Sequence, residues 1–208
     1  MPAKELYALL AILLMVLSRG AYFLSIYRGR TKPHAFSWLI WSVISSIGFA
    51  AQVTEGAGPG AWVRGFGSFT CYVVMALGFW KGEKTISRSD WTTLAVAFAA
   101  IPLWVITKTP VYSVILVCLI DTSGYIPTVR KAWKKPQQET YVGYILSACG
   151  ATFSLLAIEN YNLSTYLYPA VLGITNLVMA TYLLTRTHYL SKKPPAKTSD
   201  DTSSLHWQ

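Results

Sequence analysis

The sequence predicts an all-α integral membrane protein: seven transmembrane helices, arranged as two parallel three-helix repeats joined by an inversion helix (3+1+3). Three observations predict it. Only 13% of the 208 residues are charged while 53% are hydrophobic, and the mean hydropathy is +0.38; a soluble domain averages about 25% charged residues. Lys and Arg gather in short clusters between apolar runs, so the net charge of +9 reads as topology information and not as a nucleic-acid face. The stretch 121–136 also matches 18–33 at an offset of 103, with Tyr22 on Tyr125, Arg28 on Lys131, Lys32 on Lys135 and Pro33 on Pro136.

A spanning helix needs about 20 largely apolar residues, and seven stretches meet this: 5–27, 35–54, 61–80, 89–107, 109–130, 139–158 and 164–186. The first has no basic leader and no small-residue cleavage site, so it is expected to be a retained helix. The second and sixth open just after Pro33 and Pro136, where proline fits a first turn. Leading into the third is Gly56-Ala-Gly-Pro-Gly-Ala-Trp-Val-Arg-Gly-Phe-Gly67, which overlaps its first turns and lacks the Lys-Ser/Thr ending of a phosphate loop. Its glycines are expected to let the third helix pack closely. The offset carries 5–80 onto 109–186 and leaves 89–107 over, as the linker that lets both repeats enter the membrane the same way. Pro127 removes one backbone hydrogen bond from the fifth span, with Gly124 one turn earlier; this pair makes either a hinge or a static kink. The polar stretch 190–208 is expected to be a disordered tail.

Charge orients the bundle. Fourteen of the 18 Lys and Arg fall on one side, in the clusters 28–32, 81–88, 130–135 and 186–197, whereas Lys4, Arg64, Lys108, Glu55 and Glu159 fall on the other. The positive-inside rule then puts the N-terminus outside and the C-terminal tail in the cytoplasm, in a plasma (inner) membrane.

Few residues within the spans can carry chemistry. Asp121 lies near the centre of the fifth span, where an ionised carboxylate must be paired or face an interior. It is either a proton-coupling or substrate-binding group, or an interhelical pin whose expected partner is Arg19. Arg19 cannot shed its charge and needs an anion, from Asp121 or from a substrate. Asn176, in the seventh span, can hold a polar substrate or tie helices together. Tyr22 and Tyr125, matched across the repeats, are candidate cavity residues. Trp38 and Trp41, with their counterparts Tyr141 and Tyr144, offer faces for stacking on a sugar or a flat ring, but their place near the cytoplasmic interface favours an aromatic belt. Cys71, Cys118 and Cys149 sit in apolar runs and are expected as small core residues rather than disulfides. Asn162-Leu-Ser164 is a glycosylation sequon of a kind common by chance. The three histidines are scattered, so no metal site and no cofactor is expected, and no nucleophile, base and acid assemble into an enzyme.

The 3+1+3 order, together with Tyr125-Ile-Pro127-Thr-Val-Arg-Lys131 and Asn176, resembles the PQ-loop superfamily of SWEET-like transporters. Thr128 stands where that family has Gln, Leu24 is the first-repeat counterpart of Pro127, and Val73 that of Asn176. The resemblance implies a transporter or facilitator of a small polar molecule, sugar-like or another metabolite. It would work by alternating access about a midplane site containing Asn176, with Pro127 and Gly124 as hinge. The expected partners are that substrate and the lipid bilayer, and a homo-oligomer is compatible with the fold. The alternative is a receptor or adaptor on the same architecture, since fold does not fix function.

Overall fold

The computed structural model describes residues 2–29, 32–82, 86–134, 136 and 141–192. Arg30, Lys84, Lys135, Lys193, Lys197 and the tail from 193 onward lie outside the described residues. Among the described residues eight helical segments follow one another: α1 (Ala3–Tyr27), α2 (Ala35–Thr54), α3 (Pro59–Lys81), α4 (Arg88–Thr107), α5 (Val111–Ser123), α6 (Tyr125–Lys134), α7 (Tyr141–Leu156) and α8 (Leu163–Lys192). Six of the seven expected spans each coincide with one helix. The fifth is divided at Gly124, and α8 continues past the expected end, so that residues 190–192 are helical rather than part of a tail.

Local signals set the boundaries. His34 caps α2 by accepting the Ser37 N–H at 3.2 Å. Gly58, at φ 59, turns the chain so that Pro59 can open α3 without losing a helical hydrogen bond. Ser87 and Asp90 form a capping box at the start of α4. Asn162 caps α8, its side-chain oxygen accepting the N–H groups of Ser164 at 2.9 Å and Thr165 at 3.2 Å. The sequon asparagine is therefore engaged in building a helix start.

Five helices are long and apolar enough to cross a membrane: α1 to α4, and α8 over Leu163–Leu190. Apolar side chains point outward along them, among them Leu13 and Leu17 of α1 and Val105 and Ile106 of α4, as lipid contact requires. The chain is an integral membrane protein. Cys71 and Cys118 are buried and Cys149 is exposed, and all three are free thiols.

Packing is selective. Helix α3 lies between α1 and α2, and α8 lies between α5 and α7. Across the bundle α1 packs on α7 and α2 on α5, with lesser contacts of α3 to α7 and α8 to α2. Helix α4 covers α2 and α5, presenting Leu94, Ala97 and Ala100 to the largest apolar cluster, built on Ile40, Ile44, Val114 and Val117. Glycines permit the closest approaches, as the sequence suggests. A Cβ on Gly60 would lie 2.8 Å from the Ile158 side chain, and one on Gly78 would lie 2.9 Å from the Ala35 Cα. At the loop end of α2 and α7, Gln52 donates to the Thr165 carbonyl at 2.7 Å and Asn160 to the Glu55 carbonyl at 3.0 Å. Lys4 reaches the Ile158 carbonyl there at 2.6 Å, tying α1 to the end of α7.

Candidate functional site

One cavity, of about 360 Å³, runs inside the bundle and is lined from α1, α2, α3, α5, α6, α7 and α8. Its size is that of a small-metabolite pocket. Arg19, Asp121, Tyr125 and Asn176 all line it, so four of the five expected substrate residues meet in one place. Tyr22 is the exception. It sits one layer behind, its ring 5.5 Å from that of Trp38, and Trp38 faces the cavity.

Position along each helix explains this convergence. Asp121 is ten residues beyond the start of α5, or about 15 Å at 1.5 Å per residue. Arg19, sixteen residues beyond the start of α1, is about 24 Å along its own helix. Arg64 is only five residues into α3, about 8 Å from its start. Three charged side chains thus reach one cavity from different depths of three helices.

Arg64 joins the expected pair of Asp121 and Arg19 at the cavity. Arg64 and Arg19 both act electrostatically on Asp121, and the Tyr168 side chain is its hydrogen-bonding neighbour. The Arg64 guanidinium lies over the Tyr168 ring at 3.6 Å from the centroid, so α3, α5 and α8 are joined through one cluster. Arg64 is grouped with the outer-side charges in the sequence, although the expected third span, 61–80, contains it. The signal that could have placed it is that α3 opens at Pro59, which puts Arg64 a full turn inside the helix.

Of the aromatic residues, Trp38, Trp41 and Tyr144 line the cavity, whereas Tyr141 is outward and exposed. Trp38 and Trp41 meet edge to face at 5.0 Å, and Tyr144 lies 6.4 Å from Tyr125. Arg19 is held over Trp38 at 5.2 Å, a cation–π contact worth roughly 0.5–2 kcal/mol. The helical period accounts for the placement: 38, 41 and 45 share one face of α2, and Ser45 lines the same wall.

Asn176 is 4% exposed, and its amide nitrogen donates to the Leu172 carbonyl one turn back at 2.7 Å. The Tyr125 hydroxyl faces Asn176 and Thr175. Gly124 belongs to the lining too. There the backbone tightens: the Gly124 N–H reaches the Asp121 carbonyl at 3.1 Å and the Ile120 carbonyl at 3.3 Å. Three residues on, Pro127 has no N–H to give Ser123, so α5 and α6 are joined by a weakened turn at the cavity wall. Pro127 is within α6, and its side chain lies outside the described residues.

Comparison with known proteins gives no match, whether to a family model, to a curated protein or to a solved structure.

Proposed function

We propose that this chain is a membrane transporter or facilitator of a small polar metabolite, not an enzyme, working by alternating access around the central cavity. The carrying observation is that one cavity collects Arg19, Asp121 and Asn176 and also includes the weakened turn at Gly124. A binding site and a flexible helix joint share the same wall, as a rocking mechanism needs.

The packing pattern supports the 3+1+3 reading. If α1, α2 and α3 correspond to α5–α6, α7 and α8, each contact has a mate: α1–α3 with α5–α8, α2–α3 with α7–α8, α1–α7 with α2–α5, and α2–α8 with α3–α7. A pseudo-twofold axis along the membrane normal produces such pairing, with the substrate site between the halves. The resemblance to SWEET-like proteins fits this arrangement, and the charge bias favours an outside N-terminus.

The test is flux without a presumed substrate. Proteoliposomes carrying the protein are incubated in a uniformly labelled metabolite extract, and the trapped solutes are identified. The proposal expects one solute class to accumulate over protein-free vesicles and Asn176→Ala to abolish that accumulation while still folding. Equal trapping by the variant removes Asn176 from the site, and no protein-dependent trapping removes the transport reading.

A further inference from the structure

Among the described residues, the cavity is lined by three formally charged side chains: Arg19, Arg64 and Asp121. Two guanidinium groups against one carboxylate leave a formal surplus of one positive charge. Guanidinium stays charged at any accessible pH. The surplus is enclosed in a membrane protein, where an uncompensated charge is expensive.

The way the arginines are held sharpens the point. Each lies over an aromatic ring, Arg19 over Trp38 and Arg64 over Tyr168. A ring contact engages the charge of a guanidinium but supplies no hydrogen-bond acceptor to its N–H donors. The Arg19 Nη1 and the Arg64 Nε are buried without a hydrogen-bond partner among the described residues. Buried donors are ordinarily satisfied. Asp121 supplies one negative charge to two guanidinium groups, and Arg19, whose terminal Nη1 is unbonded, is the one assigned to an anion. Neutral hydroxyls, Ser18 and Ser45 among them, and the Asn176 amide line the same cavity.

We infer that the cavity takes a small organic monoanion whose carboxylate lies in the plane of the Arg19 guanidinium, with a hydroxylated remainder facing the serines and Asn176. This rests on the binding-site reading above and narrows its substrate class from polar metabolites to hydroxycarboxylates. A planar carboxylate matches the guanidinium fork in two parallel bonds, and one negative charge brings the site to neutrality.

Paired probes test it: gluconate against glucose, and lactate against propane-1,2-diol, by thermal shift of the full chain in detergent, with inorganic phosphate and phosphatidylglycerol as further arms. The expected result is stabilisation by gluconate or lactate and none by its neutral partner, lost in Arg19→Gln. The melting temperature of unliganded Arg19→Gln is expected to hold or rise, because a charge kept for a ligand is a burden to the empty protein; a fall marks Arg19 as a structural pin and overturns the inference. If Arg19→Gln does not fold, Arg19→Lys keeps the charge but not the fork, and its carboxylate affinity is expected to drop about tenfold or more. Equal stabilisation by the neutral partners, protection by phosphatidylglycerol or phosphate alone, no shift with any probe, or undiminished carboxylate binding in the variant each overturns the inference. Flux separates the two readings. Transport of glucose leaves the transporter standing and removes the anion, whereas gluconate binding without flux keeps the anion and removes the transporter.

Discussion

Asp121 faces two guanidinium groups, and its removal leaves both without an internal counter-charge. Breaking one partner from a buried charge cluster typically costs about 3–5 kcal/mol, so Asp121→Asn is expected to lower the melting temperature markedly. Adding Arg64→Gln to it should restore part of the loss, with a coupling of about 1 kcal/mol or more, while adding Arg19→Gln should couple less. A double-mutant cycle in detergent measures the order, and stronger coupling to Arg19 would reverse it. The residue types at this site are legible in the sequence because charge and amide side chains are rare in apolar spans. Their partners are not. Which cation meets Asp121 depends on the packing of α3 against the other helices, and no spacing within α5 records that. Trp38 and Trp41 escaped for a related reason: aromatics near a helix end serve a belt or a cavity equally well, and only the rotation of α2 decides.

Helix contacts make predictions of their own through glycine. Gly78→Ala would place a Cβ 2.9 Å from the Ala35 backbone, and overpacking of that kind costs typically about 1–3 kcal/mol. Gly20, in the middle of α1, has nothing within 4 Å of its added Cβ. Gly20→Ala should therefore gain about 0.5–1 kcal/mol from reduced backbone freedom. Opposite shifts of the melting temperature check the pair; a loss at both would mean that α1 packs more closely than the geometry indicates. Gly124→Ala brings a Cβ to 3.1 Å from the Asp121 carbonyl and strengthens helix at the joint of α5 and α6. It is expected to slow flux while leaving ligand binding within about twofold, on the view that only the turn's flexibility has changed. Hydropathy located the helices well because their ends carry charges, prolines and caps. The division at Gly124 is written in the local sequence, but whether Gly124 and Pro127 together break a helix or merely bend it depends on the cavity beside them.

At the scale of the molecule, the proposed reading takes the paired contacts as two halves that rock about the cavity. The fold class was legible from composition and run length alone, whereas the cavity was not, since it arises from the offset of seven helical segments. Alternating access can be read directly without knowing the substrate. In a chain with Cys71, Cys118 and Cys149 replaced, Ser147→Cys places a single thiol on the cavity wall. A membrane-impermeant thiol reagent is then applied from one side or the other of oriented vesicles. The account expects modification from both sides, at rates that gluconate reduces together. Modification from one side only, whatever ligand is present, would contradict it and leave a binding protein that does not transport.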